Sequence, residues 1–166
     1  MDRRQLEELL EDTHRDAYLW ARQCCNYNDD LARDVLQMVY LKIFEGRARF
    51  NERSGFRTWL FSVIRYTAID SLKQSNARAH APLEGDLAMP ADDPAEEDMD
   101  YKALLQQLPE KQAEVLLLAF YHGMTLEAIS TVMEIGLGTV RTHYDRGKKQ
   151  LKTLIEKTKI QNHGGR

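Results

Sequence analysis

Met124 to Leu151, MTLEAISTVMEIGLGTVRTHYDRGKKQL, is the stretch whose reading decides the fold. Leu126, Ile129, Val132 and Met133 recur at helical spacing behind Thr125, a residue suited to capping a helix start. Ile135 and Gly136 supply a break, and a second, basic helix begins near Leu137. Two helices that cross closely need a small residue at the crossing, a turn residue that tolerates positive φ, and an apolar plug on the second helix. Ser130 and Val140 fill the first and last roles. Glu134 stands where glycine is commonest, at a cost on the order of 1 kcal/mol. The pattern is a helix-turn-helix and points to duplex DNA rather than to a substrate. The competing reading of the segment is an ordinary helical hairpin of a bundle.

A net charge of −3 over 166 residues looks wrong for a nucleic-acid binder until it is divided along the chain. Residues 1–41 carry five basic and nine acidic side chains, a net of −4. Residues 42–78 carry eight basic and three acidic, a net of +5. Residues 79–101 hold eight acidic and no basic residues, and residues 102–166 hold ten basic against six acidic, a net of +4. Two basic segments are thus separated by an acidic one. Ala81 to Asp100 (APLEGDLAMPADDPAEEDMD) contains Pro82, Pro90 and Pro94 and little that builds a core, so it reads as an extended, flexible linker. DNA mimicry against a basic surface is a second possible use of its acidity.

Three helices are legible before the linker. The first, about Gln5 to Cys24, spaces Leu6, Leu9, Leu10, Ala17, Trp20 and Ala21 for one buried face. Asn26, Asn28, Asp29 and Asp30 then form a turn and a cap. The second, about Asp30 to Glu45, buries Leu31, Val35, Val39 and Ile43, while Asp34 and Gln37 face outward beside Met38, Leu41 and Phe44. Polar anchors beside an apolar fringe suit a protein interface or the packing of a neighbouring helix. Gly46 to Gly55 is a basic loop, and the third helix runs from about Phe56 to Asn76. Phe56, Trp59, Leu60, Val63, Ile64, Thr67 and Leu72 form its expected buried stripe. Arg57, Phe61, Ser62, Arg65, Tyr66, Ile69 and Lys73 are expected to face away, mixing aromatics with cations as single-strand binders do. After the linker, Met99 to Leu108 and Glu110 to His122 read as two further helices around Pro109, expected at the first position of the second. Gly123 suits a left-handed helix end.

Other function classes find little support. No run of 18 apolar residues occurs, so no membrane span is expected, and the acidic, amphipathic start of the chain is unlike a signal peptide. The expected location is cytoplasmic. A disulfide between the adjacent Cys24 and Cys25 is geometrically implausible, and buried thiols at a helix end are expected. A redox or metal-sensing role with His14 is the competing reading. There is no phosphate-binding glycine loop, zinc spacing or nucleophile motif, and the five histidines are scattered. No catalytic activity, cofactor, metal or small-molecule substrate is therefore expected.

The order of Asp34-Val35-Leu36-Gln37, Phe56-Arg57-Thr58-Trp59-Leu60, an acidic linker, Leu108-Pro109 and Gly138-Thr139-Val140-Arg141 resembles bacterial RNA polymerase sigma factors of the extracytoplasmic-function (ECF) group of the sigma-70 family. The match spans about Leu6 to Ile155. It implies an all-α chain of two small helical domains joined by a flexible acidic linker, the C-terminal one with a helix-turn-helix. The expected limits are 1–78 for the N-terminal domain, 79–100 for the linker, 101–160 for the C-terminal domain and 161–166 for a tail, Ile160 to Arg166 looking frayed.

The resemblance further implies a subunit that binds core RNA polymerase and directs it to promoter DNA. Asp34, Gln37, Met38 and Leu41 would dock on the polymerase. Phe50, Asn51, Arg53, Ser54, Arg57, Arg65, Tyr66, Asp70 and Lys73 would read and open the −10 element. Strand opening needs a platform for an unstacked base, and Trp59 is a candidate, although its place among the buried positions favours a core role. Thr139, Arg141, Thr142, Asp145, Arg146 and Lys149 would meet the −35 element, with Thr139 near a phosphate. Lys148, Lys149 and Lys152 read as backbone neutralisers or solvated residues. An anti-sigma factor is the implied regulatory partner. Met38 departs from the usual glutamate, Tyr66 from asparagine, Glu134 and Gly136 from the glycine and proline of the turn, and Asp145 from an aromatic or histidine. Those departures bear on promoter specificity more than on fold. The alternative function is a conventional helix-turn-helix regulator with an N-terminal dimerisation or sensing module.

Overall fold

The computed structural model describes residues 2–78 and 101–164, and every regular element among them is a helix. The expected linker at 79–100 lies outside the described residues. The chain divides into two units, the first containing helices α1 to α3 and the second the helices that follow, apart from Thr131–Met133.

In the first unit α1 spans Arg3–Cys24, α2 Asp29–Phe44 and α3 Phe56–Arg78. A capping box starts α1: the Asp2 carboxylate accepts from the Gln5 amide at 2.8 Å and the Gln5 side chain accepts from the Asp2 amide at 3.2 Å. Asn26 and Tyr27 turn the chain through positive φ, and Asn28 caps α2 by accepting from the Leu31 amide at 3.1 Å. Each of the three helices packs on both others. Leu10, Ala17, Trp20 and Ala21 of α1 meet Ala32, Val35, Leu36, Val39 and Ile43 of α2 and Leu60, Phe61, Ile64 and Ala68 of α3 in the buried set. Each large member contributes on the order of 1.5–3 kcal/mol by leaving water.

Phe61, expected to face outward, is fully buried. It stacks on Trp20 with centroids 5.5 Å apart and rings 3° from parallel, and its carbonyl accepts from Trp20 Nε1 at 3.1 Å. The reason is that α3 has two neighbours, so it buries two adjoining stripes instead of one. Leu31, Phe56, Val63 and Leu72, expected in the core, are half-buried.

In the second unit α4 spans Tyr101–Gln106, α5 Glu110–Leu116, α6 Leu126–Met133 and α7 Leu137–Gly164. Pro109 stands one position earlier than expected, at the N-cap of α5 with extended ψ, because its carbonyl opens the helix by accepting from the Ala113 amide. Leu117–Tyr121 continues α5 as a π turn, in which the His122 amide reaches back to the Leu117 carbonyl at 3.1 Å. Gly123 then ends it at φ +66°. Both α4 and α5 pack on α7. Gly147 permits the α5 contact: a Cβ there would lie 3.2 Å from Leu116 Cδ1. The backbone of α7 continues beyond residue 160 to Gly164, and residues 165–166 lie outside the described part.

Candidate nucleic-acid and polymerase interfaces

The helix-turn-helix is built as its sequence demands. Thr125 Oγ1 accepts from the Ala128 amide at 3.1 Å to open α6. Glu134 closes α6 in the left-handed conformation, φ 58° and ψ 44°, with its amide bonded to the Ser130 carbonyl. Ser130 is small enough for the crossing, and its hydroxyl donates to the Ile135 carbonyl at 2.6 Å. That bond ties α6 to the turn by satisfying a turn carbonyl. Val140 is fully buried, as are Ile129 and Val132.

The plug fixes the rotation of α7. With Val140 and Gly147 inward, the positions one, two, five, six and nine residues beyond Val140 fall on the opposite arc at 100° per residue. Arg141, Thr142, Asp145, Arg146 and Lys149 are all exposed there, and Thr139 is exposed at its margin in the first turn. Thr142 Oγ1 donates to the Gly138 carbonyl at 3.1 Å. The face holds three cations, two hydroxyls and one carboxylate, a donor-rich surface suited to guanine edges and phosphates.

In the first unit α2 presents Asp34, Gln37, Met38 and Leu41 on one exposed stripe, opposite buried Val35, Leu36 and Val39. Leu41 is 51% exposed, and Met38 and Phe44 are each 38% exposed. The Arg3 guanidinium stands 5.1 Å from the Phe44 ring centroid at one end of the stripe.

The loop before α3 is held from within. Gly46 takes φ +81°, Arg49 Nε donates to the Gly46 carbonyl at 3.2 Å, and Asn51 Oδ1 accepts from the Arg53 amide at 3.0 Å. Asn51 and Arg53 are exposed, while Phe50 and Ser54 are half-buried. Phe50, Phe56 and Trp59 form a three-ring cluster with centroid separations of 5.4–5.5 Å. Trp59 is therefore half-buried in that cluster, on the outward side of α3, and not in the inter-helix core where its spacing placed it. Tyr66, Ile69, Asp70 and Lys73 are exposed on the same side. Arg57 and Arg65 are half-buried; Arg57 Nε lies 3.6 Å from Asp16 and its guanidinium 5.2 Å from the Phe61 ring centroid. Part of the Arg57 charge is thereby engaged inside the unit.

Lys42, not among the residues nominated above, joins this side of α3. It donates to Thr67 Oγ1 at 3.0 Å and stands 5.7 Å from the Tyr66 centroid, so it supports one end of the exposed stripe of α3. The available signal was a lysine one residue before buried Ile43. Cys25 is buried, Cys24 half-buried, and both are free thiols. Burial pushes the Cys25 thiol up to about 11. His14 is engaged through Nδ1 with the Tyr40 hydroxyl at 2.7 Å, and no group of three or more metal-ligating side chains occurs among the described residues.

Comparison with known proteins matches both units. Residues 9–78 match the family Sigma-70 region 2, and residues 98–151 match Sigma-70, region 4. RNA polymerase sigma factor CarQ of Myxococcus xanthus is 30% identical over 141 residues, covering 81% of this chain and 80% of that protein. The ECF RNA polymerase sigma factor SigX of Bacillus subtilis is 26% identical over 166 residues, covering 90% and 83%. The fold is shared with the sigma factor RpoE solved in complex with the anti-sigma factor NepR from Bartonella quintana, at TM-score 0.74 and 19% identity over 92% of this chain and 97% of that one. The chain therefore belongs to the ECF group of the sigma-70 family and is a sigma factor that directs RNA polymerase to promoters.

Proposed function

We propose that the two units divide promoter recognition. The unit within residues 1–78 engages core polymerase and the −10 element, residues 79–100 link, and the unit within 101–160 engages the −35 element. The observation that carries this reading is the outward face of α7, where Arg141, Thr142, Asp145, Arg146 and Lys149 are exposed together behind a complete helix-turn-helix. Thr139 lies in the first turn of α7, where free amides favour a phosphate. Asp34, Gln37, Met38 and Leu41 form the polymerase contact, a stripe whose apolar members gain by leaving water.

Phe50, Asn51, Arg53, Ser54, Arg57, Arg65, Tyr66, Asp70 and Lys73 serve the −10 strand. Its exposed cations and the Tyr66 ring supply phosphate neutralisation and a stacking surface. The half-buried members of the set act from the edge of the loop and by supporting α3. Trp59 shapes the loop through Phe50 and Phe56.

The chain acts through binding alone, without catalysis, and works in the cytoplasm beside polymerase. No helix among the described residues is long and apolar enough to cross a membrane. Control by an anti-sigma factor is supported by the RpoE–NepR complex and by the CnrH complex with the cytosolic domain of CnrY, a second structure of the same fold at TM-score 0.65. Reconstituted transcription with purified core enzyme tests the reading. Core binding and promoter-dependent opening are expected. A chain that binds duplex DNA alone as a dimer on paired half-sites, without binding core enzyme, overturns it in favour of a conventional regulator.

A further inference from the structure

The π turn that ends α5 carries an aromatic side chain with no role in the core. Phe120 is 60% exposed, yet its ring is stacked on Tyr144 of α7, with centroids 5.7 Å apart and an interplanar angle of 23°. One helical turn beyond Tyr144, the Lys148 ammonium stands 4.2 Å from the Tyr144 ring centroid, close enough for a cation–π contact. Lys148 is exposed at the edge of the reading face of α7, in register with Arg141 seven residues before and Lys152 four residues after. A helix lying in a major groove shows its centre to base edges and its margins to the phosphates of the groove walls. A free lysine must surrender rotamer freedom to hold a phosphate, whereas one already seated on a ring has surrendered part of it before DNA arrives.

We infer that Tyr144, backed by Phe120, is a positioning residue that presets Lys148 for a backbone phosphate at the margin of the upstream element. This rests on the reading of α7 as the duplex-binding helix. Tyr144 itself touches neither base nor phosphate. It acts through Lys148, so the two substitutions must share one effect rather than have two.

The test is a double-mutant cycle in holoenzyme formed from the full chain and core polymerase. The probe is a duplex promoter fragment enriched by the holoenzyme from random-sequence DNA, compared with the same fragment carrying a scrambled upstream element. Lys148→Ala is expected to weaken binding to both fragments by the same factor and to reduce the slope of log K against log salt by about one. Tyr144→Leu is expected to cost about two- to fivefold, the range of an exposed cation–π contact. Combined with Lys148→Ala it should add nothing. Tyr144→Phe, which keeps the ring, should bind as the unsubstituted chain does, and Phe120→Leu, which removes the stack and leaves Tyr144 and Lys148 in place, should reproduce part of the Tyr144→Leu loss. Losses that multiply in the double variant, or a salt slope unmoved by Lys148→Ala, overturn the assignment of Tyr144. A holoenzyme that does not distinguish the intact from the scrambled fragment overturns the underlying reading of α7 instead.

Discussion

Replacing Glu134 with glycine should make the second unit more stable. Glu134 adopts φ 58° and ψ 44°, where an L side chain crowds the following carbonyl at a cost of about 1–2 kcal/mol. Glycine occupies that region without the clash but is freer in the unfolded chain, which returns about 0.5–1 kcal/mol. Nothing else is lost, since the side chain is exposed and its carboxylate has no ion-pair partner among the described residues. The net gain is about 0.5–1 kcal/mol, or about 2–8 °C in the midpoint of a unit of this size. Thermal unfolding followed by far-ultraviolet circular dichroism gives the midpoint, and hydrogen exchange on peptides from α6 and α7 locates the change. Glu134→Ala is the control, because alanine keeps the backbone cost and removes only the carboxylate. A Glu134→Gly midpoint at or below that of the unsubstituted chain refutes the reasoning. So does an alanine variant that gains as much as the glycine one, because the carboxylate and not the backbone would then be the source.

Gly147→Val should destabilise the same unit by about 1–3 kcal/mol in urea unfolding, because Leu116 and Gln112 already stand 3.2–3.4 Å from where a Cβ would go. Arg141→Ala should weaken binding to the intact upstream element by about 1–3 kcal/mol and leave scrambled DNA little affected in holoenzyme binding assays; equal losses on both would make Arg141 a phosphate contact only. Stability should fall as pH rises above about 9. Burial raises the Cys25 thiol from 9.0 to about 11 and the Tyr40 phenol from 10.0 to about 12. The folded chain therefore holds protons that the unfolded chain releases, and this contribution is complete below the unfolded values and lost as pH passes through the folded ones. Urea midpoints measured across that range check it, and a flat profile contradicts it.

The helix-turn-helix was legible because its determinants are local. Thr125 caps the helix that begins at the next residue by accepting from an amide only three residues away, Val140 sets the phase of α7, and Glu134 is forced left-handed by the chain reversal around it. The exposure of every nominated residue on α7 followed from that phase. Phe61 was not legible, since periodicity shows which residues share a stripe but not how many helices will cover it. Trp59 failed for the opposite reason: the loop residue Phe50 shields it, and a loop has no period to read. The π turn at Leu117–Tyr121 left no mark in a uniformly apolar run, and Gly147 looked like any glycine until Leu116 was placed against it.

Both tryptophans of the chain, Trp20 and Trp59, lie in the first unit, one stacked in its core and the other beside the loop before α3. Indole fluorescence is thus an unlabelled optical channel for α1 to α3, while α4 to α7 contribute only tyrosine emission. Its two components differ in use. Trp20, with its ring fully enclosed and its N–H bonded to the Phe61 carbonyl, reports whether the three helices are still assembled. Trp59, half open to solvent, reports what happens at the loop before α3. A single emission spectrum can therefore separate a ligand that loosens the unit from one that merely settles on it.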